Sequence, residues 1–83
     1  MFTESQVSTE QMTASYAFVL SQIVFHQYQE YLGLNLTGEN QLHYNNAILY
    51  QKQAILALKQ NQNLDDYIIF LNMAYDEYQE IDD

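Results

Sequence analysis

The sequence predicts a small all-α domain of three helices, and three observations carry that expectation. In 83 residues there is no proline and only two glycines, Gly33 and Gly38, so the chain has few natural breaks. Apolar residues recur every three or four positions over three separate stretches. No stretch alternates apolar and polar residues over the length of a strand, which argues against a sheet. At this length residues 1–83 form one domain, near the lower limit at which a hydrophobic core holds a fold unaided. With no cysteine, neither a disulfide nor a thiolate metal site is available to staple it.

The first helix is expected over about 8–32. Ser8 and Gln11 have the spacing of a capping box, and Met12, Tyr16, Val19, Leu20, Ile23, Val24, Gln27 and Tyr31 follow at helical intervals. Gly33 can take the left-handed conformation that ends a helix, with apolar Leu34 after it. Residues 35–40 then read as a loop, with Thr37 or Asn40 capping a second helix over about 39–60. Its apolar positions are Leu42, Ile48, Leu49, Ile55, Leu56 and Leu58. Ala47 and Ala54, seven residues apart, allow a neighbouring helix to come close. Residues 61–63 form the second loop. Asn63, with Asp66 three later, opens a third helix over about 64–79, and Asp65 and Asp66 suit the positive end of its dipole. Leu64, Tyr67, Ile68, Leu71, Ala74, Tyr75 and Tyr78 make its apolar stripe.

Residues 54–79, AILALKQNQNLDDYIIFLNMAYDEYQ, resemble the junction of two tetratricopeptide repeats. Ala57-Leu58 at the helix end, the 61–63 turn, and Leu71 and Tyr75 in the next helix carry the likeness. Asn72 stands where that family has a close-packing glycine, and Gln62 where it has a turn proline. No second copy appears at the 34-residue period of that repeat. The resemblance implies an antiparallel hairpin of helices two and three, and no peptide-binding residues.

Two helices are apolar on more than one side. On helix one, Phe18, Phe25 and Leu32 form a second line at seven-residue intervals, and helix three carries Ile69, Phe70 and Met73 off its main stripe. A helix apolar on most sides is either central or covered by something else, and three helices cannot surround one of their own. This predicts that a face of helix one, and one of helix three, is buried in an oligomer or a partner; a homodimer through helix one would use Phe18, Phe25 and Leu32 for self-association.

The charge is lopsided. Eleven acids face two lysines and no arginine, for a formal net charge of −9. Up to residue 64 there are four acids (Glu4, Glu10, Glu30, Glu39) against Lys52 and Lys59; from 65 on there are seven and no cation. Affinity for a phosphate backbone comes from Lys and Arg, so direct nucleic-acid binding is excluded. Repulsion from anionic headgroups argues against a membrane surface, and the longest apolar run, 16–25, is too short to span a bilayer. The first ten residues lack the basic segment of a secretory signal, so the expected location is the cytoplasm.

Catalysis and metals find little support. His26 and Glu30 share a helix face and His43 could fold beside them, but no Glu-x-x-His pair or phosphate-binding glycine loop accompanies them. The expectation is therefore no metal, no cofactor and no enzyme activity. What remains is the acidic C-terminal end, 76–83, where carboxylates alternate with aromatic and aliphatic side chains. That pattern offers a partner both charge to steer toward and apolar area to hold. The predicted partner-binding residues are Tyr75, Asp76, Glu77, Tyr78, Glu80, Asp82 and Asp83. The function expected is a non-enzymatic inhibitor or regulator occupying a basic surface of a larger protein, with a nucleic-acid-binding surface as one candidate. A phage-encoded inhibitor of a host nucleic-acid enzyme, evading host defence, is one concrete form. The alternative is a structural or co-chaperone subunit of a secretion or phage assembly that buries an apolar helix face permanently.

Overall fold

The computed structural model describes residues 9–82. Three helices account for nearly all of them: α1 (Thr9–Tyr31), α2 (Gly38–Asn61) and α3 (Leu64–Gln79). The expected end of α1 and both ends of α2 differ by one residue, those of α3 agree, and the capping box at Ser8 lies outside the described residues. Gly33 has φ +86°, the left-handed value that ends α1. Thr37 precedes α2 in extended conformation without a side-chain cap bond, whereas Asn63 caps α3 by accepting from the Asp66 N–H at 3.0 Å. Its amide returns the contact by donating to the Asp66 carboxylate at 3.1 Å.

Gln62 ends α2 at φ +49° and is the one non-glycine residue with positive φ among those described. Its N–H reaches the Leu58 carbonyl at 3.1 Å, and the Asn63 N–H reaches that of Ala57 at 3.3 Å. A side chain in this conformation carries a Cβ penalty that glycine avoids. Gln62→Gly should therefore stabilise the fold by ~0.5–1 kcal/mol, read as a higher denaturation midpoint at unchanged m-value.

α3 packs closely on α2 and also on α1, while α1 and α2 barely meet, so the shortest helix lies between the other two. Contacts fix the directions. Asn40 meets Asp82, and His43 meets Glu77, so α2 and α3 are antiparallel. Tyr16 donates to Asn72 at 3.4 Å and Tyr31 stacks on Tyr78, so α1 and α3 run the same way. The antiparallel hairpin of α2 and α3 is the expected one.

The core departs from expectation in α2. Its buried residues are Tyr44, Ala47, Ala54 and Ala57, while Leu42, Leu49, Ile55, Leu56 and Leu58 stay exposed. Ala47, Ala54 and, on α3, Ala74 are fully enclosed, and small side chains there let the two helix axes approach. In α1 the buried line is Ala17, Leu20 and Val24, with Met12, Tyr16, Val19 and Ile23 left outside. In α3 the expected stripe holds, with Leu71, Ala74 and Tyr78 at its centre. Aromatic rings close the end where α1 meets α2: Phe25 stacks on Tyr28, Tyr28 on Tyr44 and Tyr31 on Tyr78, while Tyr44 meets Tyr78 edge-on.

Candidate functional site: the outer face of α3

Because α3 is covered by α1 on one side and α2 on the other, its remaining side is a continuous exposed strip. Asp65, Ile69, Met73, Asp76 and Glu80 follow at intervals of four, four, three and four, which places them on one helical face, and all five are exposed. At 1.5 Å per residue this strip is roughly 22 Å long. Ile69 and Met73 occupy its middle, and carboxylates stand at both ends. An apolar centre with a charged rim is the anatomy of a protein-binding patch.

The C-terminal end of the strip is held in place. After α3, Ile81 is buried at 7% exposure against the core. Asn40 grips the next residue twice: its amide donates to the Asp82 carbonyl at 2.7 Å, and its side-chain oxygen accepts from the Asp82 N–H at 3.0 Å. The backbone through Asp82 thus belongs to the folded domain, with the Asp82 side chain exposed.

No family model, curated protein or solved structure matches this chain. The functional reading therefore rests on its own residues.

The structure divides the predicted partner-binding set. Asp76, Glu80 and Asp82 are exposed and Tyr75 is half-buried, its hydroxyl accepting from the Gln79 amide at 2.6 Å. Glu77 turns toward α2, where its carboxylate lies 2.6 Å from His43 Nδ1 and joins the two helices. Tyr78 is 1% exposed and bonds to Gln51, so its ring is core and cannot meet a partner in this fold. Asp83 lies outside the described residues. Ile69 and Met73 complete the patch, and Asp65 brings to it a carboxylate that the sequence explains only as a dipole partner.

Neither lysine neutralises this face. Among the described residues, the close ion pairs are His26 with Glu30 at 3.3 Å and His43 with Glu77, and both involve histidine. His43 thus joins α3, not the His26–Glu30 pair. No group of three or more His, Cys, Asp or Glu side chains is placed to hold a metal among the described residues. Among the same residues, none of the helices is long and apolar enough to cross a membrane.

Predicted for self-association, Phe18, Phe25 and Leu32 are 63%, 54% and 57% exposed. Phe25 lines a groove of about 260 Å³ between α1 and α2, together with Tyr28, Ile48, Gln51, Lys52 and Ile55.

Proposed function

We propose that this chain is a non-enzymatic binding module that occupies a basic surface of a larger protein through the outer face of α3. The observation that carries the reading is the strip Asp65, Ile69, Met73, Asp76 and Glu80, exposed along one ordered helix with no cation opposite its carboxylates among the described residues. Uncompensated acids steer encounter with a positive surface, and the Ile69–Met73 centre supplies area for contact once docked. The Lys- and Arg-rich grooves by which proteins hold nucleic acids are basic surfaces that such a ligand could fit. A strip of roughly 22 Å covers only a short stretch of backbone, so the mode is local blocking of a basic patch, not imitation of a long duplex. An inhibitor of a nucleic-acid enzyme, of the kind a phage would direct at its host, is the concrete form proposed.

The test is capture of the partner by the chain, followed by the triple variant Asp76→Asn, Glu80→Gln, Asp82→Asn. These isosteric changes remove three charges on an unchanged fold. The association rate at low salt should fall about tenfold, with less change in the dissociation rate. A captured partner that is itself acidic, or rates that do not move, would count against the reading.

A second reading has its own support. Among the described residues, fifteen large apolar side chains remain exposed across all three helices and the α1–α2 loop. A patch-rich surface of that kind suits a structural or co-chaperone subunit held permanently in an assembly. It predicts that the isolated chain cannot be kept dispersed without its partner.

A further inference from the structure

Three side chains with polar ends, Tyr28, Gln51 and Lys52, stand among the apolar lining of the groove between α1 and α2. Lysine is a donor only. Gln51 accepts from the buried Tyr78 hydroxyl, so its oxygen is engaged, while its amide N–H groups have no partner among the described residues. The Tyr28 hydroxyl can serve either way. Lys52 pairs with no carboxylate, since both close ion pairs among the described residues involve histidine. Acids are also remote in sequence. Glu30, the acid of α1 nearest Phe25, lies beside His26 at 3.3 Å, and Glu39, the one acid of α2, precedes Ile48 by nine residues. In a chain of net charge −9, the groove is thus a local site of positive charge and unanswered donors.

Its size is that of a small molecule. Ile48 and Ile55, seven residues apart, set its length along α2 at about 10 Å. A helix laid over that length fills on the order of 800 Å³, roughly three times the volume of about 260 Å³ present. At roughly 30 Å³ for a group the size of a water molecule, the groove takes about nine heavy atoms. Phe25, whose ring stacks on Tyr28, gives those atoms apolar contact together with Ile48 and Ile55.

We infer that this groove binds a small carboxylate with an unbranched apolar tail, a medium-chain fatty acid anion, its head toward Lys52 and the Gln51 amide and its tail over Phe25, Ile48 and Ile55. Charge and size together select this occupant. A polyanion such as a nucleotide is turned away by the net charge of −9, whereas a single negative charge gains a cation that no carboxylate of the chain neutralises. A cationic ligand is repelled by Lys52, and a neutral hydrocarbon leaves the donors unanswered. A tail of about eight carbons fills the groove without projecting far beyond it. The inference does not depend on what the outer face of α3 binds.

The test is a titration of the full chain at neutral pH with octanoate, and separately with octan-1-ol, which has the same tail length and no charge. Amide and side-chain NMR shifts report where each probe binds. Octanoate should give saturable shifts centred on Phe25, Tyr28, Ile48, Gln51, Lys52 and Ile55, and octanol the same pattern at about fivefold weaker affinity, the scale of one exposed ion pair. Lys52→Gln should bring octanoate down to the affinity of octanol and leave octanol unchanged. Phe25→Ala and Ile55→Ala should each weaken both probes by about threefold or more. Phe25 and Ile55 are 54% and 51% exposed, so circular dichroism should show the same helical content in both variants. The proposal is overturned by an absence of saturable shifts, or by shifts spread evenly over the exposed apolar residues of all three helices. Octanol binding as tightly as octanoate, or octanoate binding unaffected by Lys52→Gln, overturns it as well.

Discussion

Replacing Tyr78 by alanine should destabilise the domain by ~3–5 kcal/mol, the range for deleting a buried aromatic ring. Tyr78 is 1% exposed, stacks on Tyr31, meets Tyr44 edge-on and bonds to Gln51, so one side chain ties all three helices together. Tyr78→Phe keeps the rings and removes only the hydroxyl, leaving the Gln51 oxygen without its donor, and should cost ~0.5–1.5 kcal/mol. Tyr44→Phe supplies the contrast. The Tyr44 hydroxyl is buried without a hydrogen-bond partner among the described residues, so its loss should be neutral or slightly stabilising.

The same ring makes stability depend on alkaline pH. Burial pushes the Tyr78 phenol well above the ordinary tyrosine range, with Tyr44 and Tyr28 adding to the shift, and burial raises Tyr44 in the same direction. Below pH of about 10, the ordinary tyrosine value, both folded and unfolded states keep these protons and stability does not respond. As pH rises further the unfolded state releases them while the folded state holds them, so the unfolded state gains and stability falls. Thermal melts followed from neutral pH upward should show a midpoint that drops beyond that value. The drop should be smaller in Tyr78→Phe, and phenolate absorbance should develop fully only with unfolding.

The second large effect concerns the alanines. Ala54→Leu forces a bulkier side chain into a site that is completely enclosed, and should cost ~1–3 kcal/mol, or more if the two helices cannot separate. For a domain of this size each kcal/mol lowers the melting midpoint by roughly 4–8 °C. Leu49→Ala, on the exposed side of the same helix, should change the stability of the single chain by less than about 0.5 kcal/mol. The usual ranking of leucine over alanine as a core residue is thus reversed on α2. Equal losses at the two positions would show that Leu49 is covered.

That reversal also explains what the sequence does not reveal. On α3 one apolar stripe runs unbroken from Leu64 to Tyr78, while Ile69, Phe70 and Met73 are the only large apolar residues off it, so periodicity picks out Leu71, Ala74 and Tyr78. On α2 the apolar residues wrap most of the helix: Leu42, Leu49 and Leu56 lie on one line, Ile48 and Ile55 on another, and the alanines on a third. Periodicity cannot choose among three lines, and ranking by size chooses the wrong ones. The alanine spacing is the informative signal, because only small residues let α3 come close enough to bury that line.

The candidate site is half legible for a related reason. As a linear pattern, 75–83 interleaves acids with apolar residues as though all were presented together. On a helix each step turns the side chain by 100°, so Asp76 and Glu80 point outward while Tyr78 points to the core and Glu77 turns to His43. Ile69 and Met73, visible as residues off the main stripe, join the acids only once α3 is known to lie between its neighbours. The Asn40 clasp on Asp82 spans 42 residues and leaves no local signal at all.

The most direct test of the acidic-face account is the affinity of the captured partner measured over a salt series, for the wild-type chain and for the Asp76→Asn, Glu80→Gln, Asp82→Asn variant. The account predicts that wild-type binding weakens steeply as salt rises. The variant should start weaker and show a clearly flatter dependence, with the two curves converging at high salt. Superimposable curves, or wild-type binding that does not respond to salt, would contradict it.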